Sequence, residues 1–388
     1  MRIAINAWFL NQSGTGSGQY LQGLLRAWSE CGTEHQFLLA APLDDYDHDL
    51  PGVQAEFWPF RSSRWRSNLG KLLFEQVAFP RICRRWGADV AHVPYWGSPL
   101  RPPVPTVVTI HDLIPLLLPA YRGSRLVQLY TRLASASARR AALALTDSLA
   151  SKRDIEQHLR LPPGQVRCIY LAVDDRFDPQ PAPEDSAIRL SYGLPDPSKP
   201  AEASRYVLYL AGHDVRKNVA TLVEAFATVA QADDDVVLVI GGKLPARDDP
   251  VLFDPRPLVD ALGLSDRVRL IGWVDEADKP ALLRGAACAV FASRYEGFGL
   301  PVLEALACGT PMITSDISSL PELLGDAGFA VDPDDAQGLA GAILACLVDG
   351  SLVAELKQRG IEQAARFSWA QTARQTLDAY AEAAAGKG

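Results

Sequence analysis

Short, almost wholly apolar runs recur along this chain, each followed by a stretch with helical periodicity. That alternation restricts it to few architectures. The runs lie at 2–6, 36–41, 89–93, 106–110, 143–146, 166–170, 206–211, 236–241, 268–271, 287–292 and 311–314. Many lack the polar alternation of a strand with one wet face, so they read as strands covered on both sides, as in parallel sheets. Between them, residues 18–31, 66–86, 123–142, 148–161, 219–231, 280–286, 300–308 and 335–348 repeat apolar side chains every 3.6 residues. Strand and helix in such repetition build βαβ units, and the fold class expected is α/β with doubly wound parallel sheets.

At 388 residues the chain is too long for one core. The clearest break is at 177–204, where FDPQPAPEDSAIRLSYGLPDPSKPAEAS carries six prolines and little periodicity. Two Rossmann-like domains are therefore expected, at 1–176 and 203–365, joined by a Pro-rich linker at 177–202. A final helix in 366–388 is expected to pack back toward the first domain. Ligands of open α/β sheets bind beyond the carboxyl ends of strands, so the informative loops are those just after strands. With two such domains, a cleft between them is the expected site.

Charge and cysteine content exclude several classes. The net charge of −8 argues against a nucleic-acid coat. No apolar run approaches the roughly 18 residues that span a bilayer, and the start, MRIAINAWFL, reads as a strand. Cys31, Cys83, Cys168, Cys288, Cys308 and Cys346 form no C-x-x-C pair, which speaks against a zinc site or a disulfide framework. A cytoplasmic protein is the expectation.

The densest motif is FASRYEGFGLPVLEALACGTPMITS, residues 291–315. A buried strand runs into Glu296-Gly297-Phe298-Gly299, and a helix opens at Leu300 with Pro301 in its first turn. The glycines let backbone approach a ligand closely, and a helix start presents unpaired N–H groups and partial positive charge. This is a phosphate cradle. Glu296 and Glu304 flank it, and as anions they suit hydroxyl groups on either side of a phosphate better than the phosphate itself. Read alone, an E-G-x-G turn is more often the plain start of a helix, with acidic residues favoured by the helix dipole.

The whole string resembles the donor-binding signature of the retaining glycosyltransferases of family 4, whose fold is GT-B. Glu296 and Glu304 match the family's two glutamates with seven residues between them, and Gly297 to Pro311 match their context. The resemblance implies that Glu304 holds the nucleotide ribose, that Glu296 contacts the transferred sugar, and that the amides of Phe298, Gly299 and Leu300 bind the diphosphate.

Other segments extend the likeness over most of the chain. In YLAGHDVRKNVATLVEAF, Arg216 and Lys217 follow a strand, where cations can neutralise a leaving diphosphate. The family's lysine matches Lys217. Many members carry its partner arginine where this chain has His213, so Arg216 is expected to take that part. The loop after the first strand, NQSGTGSGQY, has alternating glycines suited to an anion but is not the G-x-G-x-x-G of a nicotinamide site. The resemblance implies closure over the donor phosphate, with Gly16 the position carried over. In VVTIHDLIP, His111 ends a strand and can hydrogen-bond a sugar hydroxyl or the reacting phosphate, as the family histidine does. Asp112 either orients that imidazole or caps the turn. Asp147 or Ser148 reads as a helix N-cap. In Gly272-Trp273-Val274 the family contacts the nucleobase through backbone, which brings in Val274. Asp233-Asp234-Asp235 precedes a strand and reads as a turn. No metal and no other cofactor is expected, since cations and helix amides take the metal's part in this family.

The resemblance implies glycosyl transfer from a nucleoside-diphosphate sugar with retention of configuration. The R-K-N and H-D-L-I-P versions of the motifs look most like bacterial cell-surface polysaccharide mannosyltransferases, which points to GDP-mannose and to a glycan or polyprenyl-linked glycan acceptor. Residues 61–86 run against the acidic balance, with Arg61, Arg64, Arg66, Lys71, Arg81, Arg84 and Arg85 against Glu75, a net +6 that leaves −14 elsewhere. Trp65, Phe74, Phe79 and Trp86 interleave. This is either a peripheral membrane contact at the inner face of the plasma membrane or a solvated helix face. A GT-B sugar-nucleotide epimerase and a non-catalytic nucleotide-sugar-binding subunit are the alternatives; the intact Glu296, Glu304 and Lys217 set favours transfer over both.

Overall fold

The computed structural model describes residues 1–12, 14–41, 54–59, 68–194, 205–246 and 249–386. The chain divides into two compact units, one of Met1–Leu171 with Ser368–Gly388 and one of Ala172–Phe367. The first holds a sheet of seven parallel strands: β1 (Arg2–Asn6), β2 (Gln36–Ala41), β3 (Gln54–Pro59), β4 (Val90–Val93), β5 (Thr106–Thr109), β6 (Leu143–Thr146) and β7 (Val166–Cys168). Its order is β3-β2-β1-β4-β5-β6-β7, so the winding reverses between β1 and β4. The second holds six parallel strands: β8 (Arg205–Leu210), β9 (Val236–Gly241), β10 (Val268–Gly272), β11 (Cys288–Phe291), β12 (Met312–Ser315) and β13 (Gly328–Val331). Its order, β10-β9-β8-β11-β12-β13, reverses between β8 and β11. Both sheets are doubly wound, as the apolar runs demand; β4, β5, β6, β9, β11 and β12 are buried along their whole length.

The differences from the sequence reading have local causes. Strands β3 and β13 are sheet edges, and β13 is only half-buried, so its apolar signal is weak. The Pro-rich segment carries a helix, Asp185–Ser191, pinned by charge and not by an apolar stripe: Asp185 takes a bidentate pair from Arg284 at 2.6 and 2.7 Å. Residues 195–204 of that segment lie outside the described residues. Helix Gly350–Ala364 is an element beyond those expected from periodicity; Gly360 in it lies on Leu306, where an added Cβ would come within 3.2 Å. The single helix expected at 66–86 is three pieces, Asn68–Leu73, a π-helical turn Phe74–Ala78, and Phe79–Trp86. Of its aromatics, Phe74, Phe79 and Trp86 are core residues, while Arg81, Arg84 and Arg85 face solvent. Arg61, Arg64, Trp65 and Arg66 lie outside the described residues.

The C-terminal helix Trp369–Ala385 is built into the first unit. Trp28 donates its indole N–H to the Ala373 carbonyl at 3.1 Å, and Thr372 donates to the Tyr170 carbonyl at 2.6 Å. Tyr380 hydroxyl meets His92 Nδ1 at 2.6 Å, and His92 Nε2 meets Thr109 Oγ1 at 2.8 Å. Burial pushes the His92 imidazole down to about 3, so it is neutral and one of its nitrogens accepts from Tyr380. A buried polar chain of this kind is satisfied at each step and fixes the helix in one register.

Candidate functional site

The loops after β8 and β11 meet at the winding reversal of the second sheet, the place where such sheets bind ligands. Beyond β8 the chain makes a 3-10 turn, Val215–Lys217, and passes through Asn218 at φ 60° into helix Val219–Ala232. Asn218 tolerates the left-handed conformation and is held there, donating to the Pro333 carbonyl at 2.6 Å. Beyond β11 the chain forms residues 292–299 and opens helix Leu300–Ala307. Gly299 has φ 115°, and a Cβ there would lie 2.6 Å from Leu320 Cδ2, so geometry and space both require glycine.

One carboxylate ties the two loops together. Glu296 Oε1 accepts from Lys217 Nζ at 2.7 Å and from Ser293 Oγ at 2.7 Å, and Arg216 Nη1 stands 2.7 Å away. Arg216 also donates to the Tyr295 carbonyl at 2.7 Å and pairs with Asp214 at 3.1 Å. The Lys217 ammonium lies 4.6 Å from the centre of the Phe291 ring. Two carboxylates and two cations leave the cluster neutral overall. Burial works to raise the Glu296 carboxyl, but Lys217 and Arg216 outweigh it and hold the group below the usual carboxylate range.

Glu304 is the opposite case. It is 7% exposed, yet among the described residues its carboxylate meets one cation within 4 Å, Lys279 at 3.8 Å, and Lys279 is closer to Glu276 at 2.7 Å. Burial raises its pKa, against Lys279. Glu296 is satisfied by protein; Glu304 has unfilled acceptor capacity and sits on the first turns of the helix whose N-terminal amides lack intrahelical partners. The turn between them is braced from below. Ser318 donates to the Glu296 carbonyl at 2.7 Å and accepts from its amide at 3.0 Å, and Ser319 donates to the Phe298 carbonyl at 2.5 Å. Arg216, Lys217, Glu296, Gly297, Phe298, Gly299, Leu300 and Glu304 thus come together in one unit.

The remaining expected residues stand as follows. Val274 is buried next to Gly241, where an added Cβ would lie 3.1 Å from Val274 Cγ2, while Trp273 is exposed. Gly272 has φ 70°, and its carbonyl accepts from the Gly242 amide at 2.7 Å. Asp233 caps a turn, accepting from the Asp235 amide at 2.9 Å, and pairs with Arg205 at 2.6 Å. In the other unit, an added Cβ at Gly16 meets nothing within 4 Å, whereas one at Gly18 would overlap the Gln12 carbonyl at 2.1 Å. Packing there demands Gly18, not Gly16. His111 Nδ1 bonds Asp147 at 2.6 Å and its Nε2 lies 3.3 Å from the Pro94 carbonyl. The orienting carboxylate is therefore Asp147; Asp112 caps its turn through the Ile114 amide at 2.9 Å, and Ser148 is the helix N-cap, accepting from Ser151. Burial works to lower the His111 pKa, but Asp147, Asp112 and the Pro94 carbonyl outweigh it and the net shift is upward. Both ring contacts fit an imidazolium.

Ser293, Ser318, Ser319 and Lys279 were not singled out from sequence. Ser293 follows the strand directly and was within reach of a positional argument. Ser318 and Ser319 act through backbone across more than twenty residues, a relation no local pattern carries.

The two glutamates have opposite consequences for stability. Glu304 is raised, so its ionised form favours the unfolded chain above the unfolded pKa near 4.3; Glu304→Gln should raise the melting temperature of the ligand-free protein at pH 7. Glu296 is depressed, so its contribution is present at neutral pH and lost as pH falls through its folded value; Glu296→Gln should lower the melting temperature at pH 7 and do so progressively less toward pH 4. Calorimetry of both variants at the two pH values checks the signs, and equal effects for the two would contradict the assigned environments.

Residues 14–177 match the family model described as glycosyltransferase family 4, and residues 194–365 match that of glycosyl transferases group 1. The chain is 32% identical over 275 residues to the O-antigen chain mannosyltransferase B of Escherichia coli, covering 71% of this chain and 69% of that protein. It is 30% identical over 285 residues to a serotype-specific mannosyltransferase WbdA of Escherichia coli, but spans only 33% of that longer protein. Among solved structures, sucrose-phosphate synthase from Thermosynechococcus elongatus shares the fold with a TM-score of 0.76 at 21% identity over 100% of both chains. WaaG, a glycosyltransferase involved in lipopolysaccharide biosynthesis, does so with a TM-score of 0.68 at 16% identity, over 97% of this chain and 99% of that one. Two doubly wound units, the paired glutamates and these relatives agree: the chain belongs to the family 4 (group 1) glycosyltransferases of the GT-B fold class.

Proposed function

We propose that this glycosyltransferase moves a hexosyl group, mannose from GDP-mannose, to a glycan or polyprenyl-linked glycan acceptor with retention of configuration and without a metal ion. The observation that carries the reading is the pairing of Lys217 and Arg216 with Glu296 beside a helix start, with the unsatisfied Glu304 carboxylate eight residues on. The mannosyl donor is supported by the names of the Escherichia coli relatives, and a nucleotide ligand by a solved Anabaena neighbour of the same fold in complex with UDP.

In this reading Glu304 accepts hydrogen bonds from the ribose diol, and Val274 lies beside the base. The amides of Phe298, Gly299 and Leu300 take the diphosphate with Lys217 and Arg216. Glu296 contacts the transferred sugar and sets the position of both cations. The bond from the anomeric carbon to the β-phosphate oxygen breaks while the acceptor oxygen attacks the same face, and the departing phosphate takes the acceptor's proton. Charge developing on that phosphate is what Lys217 and Arg216 neutralise. His111, held by Asp147, donates to a substrate hydroxyl.

The assay is transfer from GDP-mannose together with thermal stabilisation by GDP, UDP, ADP and dTDP. GDP at about 100 times its Kd should add about 2.7 kcal/mol; Glu304→Ala should abolish that gain, and Lys217→Ala should cut turnover about 100- to 1,000-fold while leaving the fold intact. Wild-type turnover in Lys217→Ala would overturn the mechanism, and selective stabilisation by UDP would replace mannose by another hexose. Sugar-nucleotide isomerisation without acceptor would indicate an epimerase, and nucleotide binding without turnover a binding subunit.

The proposal places the protein in the cytoplasm, at the inner face of the plasma membrane. Among the described residues no single helix is long and apolar enough to cross a membrane. Leu69, Leu73 and Val77 recur every four residues and are 65, 45 and 37% exposed, near the exposed Arg81, Arg84 and Arg85. Apolar and basic side chains in that pattern suit the surface of an anionic bilayer. Flotation with anionic vesicles should be lost in a Leu69→Glu, Leu73→Glu variant; flotation with neither anionic nor neutral vesicles would remove the membrane contact.

A further inference from the structure

The connection after β9 runs from residue 242 to residue 255, before helix Arg256–Ala261 begins. Strand-to-helix connections in such sheets commonly take about two to six residues, and long ones are often functional. The second half of this one is tied down. It turns back and pairs antiparallel with the segment after β8, Asp214 opposite Leu252. The Phe253 amide donates to the His213 carbonyl at 2.6 Å, and the Val215 amide donates to the Val251 carbonyl at 3.0 Å. Asp249 closes the turn before them, its carbonyl accepting from the Leu252 amide at 3.0 Å and its carboxylate from the Val251 amide at 3.0 Å.

This loop walls a cavity of about 580 Å³, whose lining includes Pro245, Asp249, Pro250, Leu252, Asp254 and Arg256. The volume falls within the range of about 300–1,000 Å³ that small-ligand sites take. None of the residues assigned to the donor is among those that line it. Its polar groups form a pair. Arg256 forks onto Asp254, with Nε 2.9 and 3.0 Å from the two oxygens and Nη2 2.6 Å from Oδ2. The guanidinium holds the Asp254 carboxyl below the usual carboxylate range, so the carboxylate is ionised at neutral pH. The Arg256 and Asp254 side chains keep 55 and 31% of their surface. The fork leaves Nη1 and the second lone pair of each carboxylate oxygen for a ligand.

The lining selects a class of ligand. A carboxylate and a guanidinium side by side offer an acceptor and a donor to neighbouring hydroxyls, which a sugar ring supplies in pairs. The same ring presents a C–H face that suits apolar surface. Pro245 and Pro250 provide such surface together with Leu252, which is 39% exposed. Asp249 and Asp254 against Arg256 leave one negative charge in the named lining, which repels a diphosphate and accepts a neutral polyol.

We infer that this cavity binds a neutral saccharide, a unit of the glycan on which the enzyme acts, with Asp254 and Arg256 taking two neighbouring hydroxyls and Pro245, Pro250 and Leu252 under the ring. The inference rests on the reading of the chain as a transferase with a glycan acceptor. It assigns a holding site that is separate from the candidate donor loops and takes no part in the chemical step.

The test is saturation-transfer NMR on the full chain with methyl α-mannoside, α-linked mannotriose, maltotriose and cellotriose, alone and with the nucleoside diphosphate that stabilises the protein. Asp254→Ala/Arg256→Ala removes the ion pair without leaving either charge alone, and Leu252→Asp adds a carboxylate to the apolar surface. The wild type should show saturable transfer to at least one saccharide, unaffected by the nucleotide and weakened about tenfold or more in the double variant. Thermal stabilisation by nucleotide in the double variant should match the wild type, which shows the fold and the donor site intact. Should the double variant lose that stabilisation, Leu252→Asp decides by the same criteria. Absence of saturable transfer in the wild type, undiminished saccharide binding in the double variant, or displacement by the nucleotide would each overturn the inference. Failure of every nucleotide to stabilise the wild type would count against the proposed donor site instead.

Discussion

The Glu296 carboxylate is the interaction on which the candidate site depends. It lies at 8% exposure, where an unpaired charge is costly, and it is kept ionised by Lys217, Arg216 and Ser293. Because the cations come from the loop after β8 and the carboxylate from the loop after β11, the ion cluster ties the two loops together at the sheet's reversal point. Removing Glu296 leaves two largely buried cations with Asp214 alone to balance them, whereas removing Lys217 leaves Glu296 paired with Arg216, so the carboxylate is the member on which both geometry and local stability turn.

Both units use one architectural device. Each sheet reverses its winding beside its first strand. In the second unit the helix that follows the reversal carries Glu304, an anion that the protein's own groups only partly satisfy. An open acceptor fits a ligand rich in hydroxyl donors.

Much of this was legible in the sequence because the signals are local. Fully buried parallel strands are continuous apolar runs, and β9 (VVLVIG) cannot be read otherwise. The residues of the donor site lie in two short strings, where spacing alone places Arg216, Lys217, Glu296 and Glu304 beyond strands. What escaped is non-local. Asp147 and not Asp112 orients His111, because β5 and β6 are neighbours in the sheet although 36 residues separate the pair. Gly18 and not Gly16 is demanded by packing, since the obstacle is the Gln12 carbonyl. The helix Asp185–Ser191 is held by Arg284, a partner about a hundred residues away. The π-helical turn at Phe74 breaks a periodicity that otherwise reads as one continuous helix.

The central claim is that a nucleoside diphosphate is held where the loops after β8 and β11 converge. Hydrogen exchange on the full chain, with and without saturating nucleoside diphosphate, reads that location directly. The account predicts slowed exchange in residues 212–218 and 293–302. Protection that leaves both segments unchanged while nucleotide is bound would contradict it.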